Sequence, residues 1–226
     1  MKSIKSYFVL IVLLLSHTFV FAQHPHSFFG EFEFELEIPT ETKFSFEVEA
    51  GARGLFLETY DGEKSTDYTH QHFEITQFTK YQHTEAIEFA LGLRYRMKEP
   101  FDDGDPDEKR IIEEIEYEPV NSTIGLSHRG RLEQRFRGEE FIFRLRYQIG
   151  ASKPLNETFS LGVSTEALYG VSTIDKPEPE QRFAIELENS GFKNVELGVG
   201  FEVRLENYVL DLGYEYFFAT KVKISL

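Results

Sequence analysis

The sequence contains no cysteine, which excludes a disulfide framework, a thiolate metal site and a lipid-modified N-terminal cysteine. Tryptophan is also absent. The one long apolar run, Tyr7 to Leu15, is too short for a spanning helix, and no later stretch reaches the roughly 18 apolar residues such a helix needs. That argues against a helical inner-membrane protein. Basic residues are few beside acidic ones, 24 against 39, for a formal net charge of −15. A polyanion such as nucleic acid is a poor partner for that balance, so no nucleic acid is expected.

The N-terminus supplies an export pattern instead. Lys2 and Lys5, the apolar run and then Val20-Phe21-Ala22 are the basic, apolar and small-residue regions of a secretory signal peptide. Residues 1–22 are therefore predicted to be removed after Ala22. Residues 23–226 have the length of one large domain.

Within that domain the dominant signal is alternation. Phe141, Phe143, Leu145, Tyr147, Ile149 and Ala151 share one parity, and Glu140, Arg144, Arg146 and Gln148 the other. Successive side chains of a β-strand point to opposite faces, so this segment has one face suited to hydrocarbon and one carrying permanent charge. The same pattern is read at 31–38, 43–58, 69–80, 84–97, 109–118, 123–136, 140–152, 157–170, 182–189, 194–206 and 207–219. Several of these run to about 13 residues, long enough to cross a bilayer at a tilt. Long polar connections (61–67, 99–108, 172–181) follow even-numbered segments, and short ones such as Pro154-Leu155-Asn156 follow the others. An up-and-down antiparallel transmembrane β-barrel with short periplasmic turns and long outer loops shows that asymmetry.

Eleven segments would start the mature chain on the outer side, whereas single-chain barrels usually have an even strand number. Splitting the second segment at Gly51 to Gly54 gives twelve strands, the preferred count. Placing 31–38 outside the barrel gives ten. A soluble β-sandwich also alternates, so the face contents decide. Arg94, Arg96, Arg129, Arg131, Arg135, Arg144 and Arg146 fall on the polar parity together with Glu133, Glu166 and many glycines, a mixture that suits a crowded wet lumen. Tyrosines such as Tyr68, Tyr95, Tyr117, Tyr147, Tyr169 and Tyr216 sit near segment ends, where an amphipathic ring lies at headgroup level.

The run Arg131-Leu132-Glu133-Gln134-Arg135-Phe136, then Arg144-Leu145-Arg146-Tyr147, Glu166 and Gln181-Arg182-Phe183 before a Gly-rich strand pair, resembles the domain-of-unknown-function 2490 family. The resemblance implies a Gram-negative outer-membrane barrel. It carries over no activity, substrate or cofactor, and the terminal Leu226 departs from the aromatic end common in barrels.

A tight turn at Arg137 to Glu140 would face Phe136 to Phe141, Leu132 to Leu145 and Glu133 to Arg144. A three-residue turn at Pro154-Leu155-Asn156 would then set Arg144 against Glu166. Such a row serves either as an ion-pair network filling the barrel or as an anion site. Three weaker constellations remain. Ser127-His128 has the residue types of a lipid hydrolase, but neighbours in a strand face opposite ways. His70 with His72, and His24 with His26, have spacing conceivable for a metal, though no metal site is expected. The run Asp102 to Asp107 makes an acidic outer loop that could bridge divalent cations to lipopolysaccharide phosphate. The expected function is a structural or narrow-channel barrel without chemistry of its own, embedded in outer-membrane lipid. The alternatives are a lipid-modifying barrel enzyme and a secreted sandwich-type binding module.

Overall fold

In the computed structural model the chain is all-β, with no helix among the described residues, which are 25–60, 63–98, 106–120, 122, 124–209 and 212–226. The strands are β1 (His26–Pro39), β2 (Phe44–Tyr60), β3 (Glu63–Ser65), β4 (Thr69–Thr84), β5 (Ile87–Lys98) and β6 (Glu108–Tyr117). They continue as β7 (Gly125–Arg137), β8 (Glu140–Pro154), β9 (Phe159–Ser172), β10 (Glu178–Phe192), β11 (Val195–Glu206) and β12 (Gly213–Ser225). The expected signal segment lies outside the described residues.

Eleven strands form a closed wall, each bonded to its neighbours in chain order, and β3 is a twelfth, three-residue strand added to the end of β2. An up-and-down path through an odd number of staves forces its first and last members to run the same way. β1 accordingly pairs with β12 in parallel, from His26 opposite Tyr214 to Glu37 opposite Ser225, while its other edge pairs antiparallel with β2. Ring closure leaves the eleven-stranded wall no free edge. A two-sheet sandwich is thereby excluded as the architecture.

The strand total near twelve is met, but not by the expected split. β2 runs unbroken through Gly51 to Gly54, with only a bulge between Arg53 and Gly54. Gly54 is needed for close approach rather than for a turn, because a Cβ there would collide with the ring of Tyr68. β1 belongs to the wall, which removes the ten-stranded count. The two ends of the wall therefore lie at opposite ends of the barrel. β1 starts at the end where β2, β5, β7, β9 and β11 finish, and β12 finishes at the end where β1, β4, β6, β8 and β10 finish.

Local chemistry fixes the tight connections. Gly138 has φ +56° at the first central position of the two-residue turn joining β7 to β8, the conformation a II′ hairpin demands. Asn194 takes φ +60° between β10 and β11, as asparagine tolerates better than most residues. The last strand starts later than alternation suggests, at Gly213, because the chain leaves β11 through a turn that opens with Asn207 at φ +46°.

Side-chain placement is inverted relative to a soluble domain. Among the described residues the buried hydrophobics are only Phe78, Ile112, Leu168 and Phe217, all pointing inward. The outer face exposes an apolar surface all around the ring, for example Phe32, Leu91, Leu145, Phe183 and Phe218. Inside, the Phe78 ring lies directly over Gly92 of the adjacent strand, with Arg131 above it at 5.9 Å. Gly92→Val should displace that ring and cost about 1–3 kcal/mol, read as a lower urea midpoint. Gly162→Ala is the matched control, since only the Glu186 carbonyl oxygen, at 3.9 Å, would lie near its new Cβ.

Candidate functional site

Strand parity turns a scattered set of arginines and glutamates into a belt around the lumen. Inward positions of β7 carry Arg129, Arg131, Glu133 and Arg135, those of β8 Arg144 and Arg146, β9 Glu166, and β5 Arg94 and Arg96. The β7–β8 hairpin has Phe136 opposite Phe141, Leu132 opposite Leu145 and Glu133 opposite Arg144, the register its two-residue turn implies.

Glu133 is the hub and is fully buried. Its Oε2 accepts from Arg144 at 2.6 Å and faces Arg110 Nη1 at 3.6 Å, while Oε1 accepts from Arg146 Nη1 at 2.9 Å. Arg146 reaches on to Glu166, donating from Nη2 at 2.6 Å and from Nε at 3.1 Å. One guanidinium thus bridges two carboxylates on the strands either side of it. A planar fork with several donors suits that role, whereas a lysine would offer a point charge.

The expected Arg144 to Glu166 pairing does not occur. Arg144 stands opposite Gly170, and Glu166 stands opposite Gln148. The β8–β9 connection is longer than three residues. Asn156 Oδ1 accepts from the Thr158 and Phe159 amides at 2.9 Å each, and the Leu155 amide donates to the Phe159 carbonyl. This asparagine-centred loop slides β9 along β8 relative to the tighter turn.

Sequence reasoning passed over much of the belt. Glu108 and Arg110, Glu180 and Arg182, and Glu202 and Arg204 each form a hydrogen-bonded pair two residues apart on one inward face. The repeated Glu-x-Arg spacing was a usable signal, because residues i and i+2 of a strand share a face. Glu31 with Arg53, and Glu74 with Arg94 at 2.8 Å and Arg96 at 2.6 Å, complete the circuit on the early strands. On β12 an aromatic takes the place of an ion. Phe217 is fully buried, with the Arg204 guanidinium 3.6 Å and that of Arg53 4.7 Å from its ring centroid, and it stacks on Phe29 across the parallel seam.

The belt occupies the half of the barrel nearest the connections 138–139 and 173–177. The other half is acidic, relieved by Lys80 bound to Glu47 at 2.9 Å, Lys221 to Glu35 at 2.7 Å and Lys223 to Glu37 at 3.4 Å. Between them lies a polar cavity of about 860 Å³, lined by belt residues and by small ones such as Gly150, Gly162, Ser164, Ala184 and Gly200.

The weaker constellations are dispersed. Ser127 lines the cavity, whereas His128 is on the outer face, its Nδ1 2.9 Å from the Tyr147 hydroxyl and its ring flanked by Tyr117 and Tyr147. His72 faces inward with Nε2 3.7 Å from Glu74, and among the described residues no group of three His, Cys, Asp or Glu side chains is placed to hold a metal. His24 lies outside the described residues. So does most of the acidic 102–107 loop, of which Asp107 accepts from the Tyr95 hydroxyl and from the Lys98 amide at 3.2 Å.

An inside-out ring of staves with an ion-paired interior defines a closed β-barrel protein with a charged lumen. The chain belongs to the DUF2490 family of proteins of unknown function, whose family model matches residues 31–223. No curated protein matches its sequence.

Proposed function

We propose that this chain is an outer-membrane β-barrel of structural or narrow-channel type, exported through a signal peptide cleaved after Ala22 and lacking chemistry of its own. The observation that carries the reading is the inverted distribution of side chains. Leu93, Leu145 and Phe218 are each more than half exposed on the outside, while Glu133, Glu108 and Arg110 are buried within. Water would penalise such an outer surface, and lipid would not. Closure supports it too, since every wall strand has two bonded neighbours and hydrocarbon offers no partners to a free edge. Aromatic contacts sit at both rims: Phe44 with Tyr81 and Tyr117 with His128 at one, Phe136 with Phe141 and Phe28 with Tyr216 at the other.

The belt accounts for the narrow-channel part. Its side chains cross from strand to strand, so steady conductance in planar bilayers should be small or absent. Ser127 and His128 point to opposite faces, which leaves the hydrolase alternative without a working pair. Outer-membrane lipid is the principal partner, and the acidic loop before Glu108 is suited to divalent cations bridged to lipopolysaccharide.

Fractionation tests the location. The mature protein should sediment with outer membranes and migrate faster in cold detergent gels than after boiling, whereas recovery from the soluble periplasm would sink the reading. On the outer face, Leu145→Arg should lower stability in lipid by about 2–4 kcal/mol, seen as a reduced urea midpoint and folding yield. An unchanged midpoint in lipid would place Leu145 in water.

A further inference from the structure

Arg129 breaks the rule of the lumen. Among the described residues it is the inward arginine that makes no ion pair, and its Nε is buried without a hydrogen-bond partner. Its strand neighbours are Glu116 on β6 and Gln148 on β8, and the carboxylates of Glu114, Glu116 and Glu166 act on it through space without reaching ion-pair distance. A guanidinium donor left unmet in a confined site carries a desolvation penalty that an anion would relieve.

The wall beside it is built to leave room. A Cβ at Gly150 would come within 2.6 Å of Ser127 Oγ, so the missing side chain makes space for that hydroxyl. Gln148 Nε2 reaches Ser164 Oγ at 3.3 Å, and Gly162 faces open space apart from one carbonyl oxygen. The cavity these residues share, about 860 Å³, is within the range of small-molecule sites, roughly 300–1,000 Å³. Glu33, Glu186 and Glu188 line the same space. A second negative charge on a ligand would be repelled by them, whereas ligand hydroxyls would find acceptors.

We propose that the lumen binds a small hydroxylated monocarboxylate, its carboxylate on Arg129 and its hydroxyls shared among the serines, Gln148 and the facing glutamates. The site depends on the closed barrel and not on where the barrel resides, so its failure and that of the membrane reading are distinguishable. The probe is gluconate, titrated calorimetrically into the full chain folded in detergent, with glucose and inorganic phosphate titrated separately. Gluconate should bind, Arg129→Gln should weaken it at least about tenfold, and Gly162→Leu should weaken it by occupying part of the cavity beside Ser164. Heat-modifiable migration identifies which variants are folded, and either variant alone suffices for the comparison. Absence of gluconate binding, unaltered binding in the folded variants, or equal affinity for glucose or phosphate would overturn the proposal.

Discussion

Glu133→Ala should destabilise the barrel by on the order of 3–5 kcal/mol, the range found when one member of a buried ion network is removed. Three arginines converge on this fully buried carboxylate: Arg144 at 2.6 Å, Arg146 at 2.9 Å and Arg110 at 3.6 Å. Deleting it leaves like charges facing one another across a space too confined for full hydration. Arg110 already has its Nη2 buried without a partner, so it would lose support it cannot replace. Glu133→Gln should recover only part of the loss, because the amide restores an acceptor but no charge. Urea unfolding in lipid or detergent measures this, with Glu202→Gln as the reference. Glu202 bonds Arg204 near the edge of the belt and is about a quarter exposed, so its removal should cost under about 1 kcal/mol. A wild-type midpoint for Glu133→Ala would show that the hub is solvated.

Arg146→Ala should produce a loss of similar size, about 3–5 kcal/mol, for the opposite charge. It is the bridge between Glu133 and Glu166, and without it the ion pair left to Glu166 among the described residues is with Arg182, at 3.7 Å. Arg144→Ala should be milder, since it holds one carboxylate and Arg146 remains on that carboxylate. The two variants also differ in rescue. Glu166→Gln should restore part of the stability of Arg146→Ala and none of that of Arg144→Ala, because of these two arginines Arg146 alone touches Glu166. A double-mutant cycle showing equal coupling of Glu166 to both arginines would refute the observed register.

The strands were legible because each carries a strict period of two. The expected segment 140–152 and the observed β8, Glu140–Pro154, differ by two residues at one end, and the β7–β8 register followed from a turn of known length containing Gly138. Where turn chemistry was less explicit the reading slipped. The Asn156 loop shifted β9 along β8, and the loop opening at Asn207 delayed β12 until Gly213. The glycines of β2 were ambiguous for a physical reason. Gly51 and Gly54 fit both a turn and a strand that other side chains approach closely, and only the neighbours Glu74 and Tyr68 decide between these.

By itself, then, the sequence determined that the chain makes two-faced strands and that Arg94, Arg131, Arg144, Arg146 and Glu166 fall on the charged parity, because alternation depends on nothing but backbone geometry. Tertiary structure alone decided how those faces meet. Closure with eleven staves imposed the parallel seam and set Phe217 between Arg53 and Arg204, residues remote in the chain. It also chose the ion partners, giving Glu166 to Arg146 and leaving Arg129, among the described residues, with no carboxylate at ion-pair distance. Partner choice depends on stagger between strands, which accumulates around the ring and which no single segment encodes.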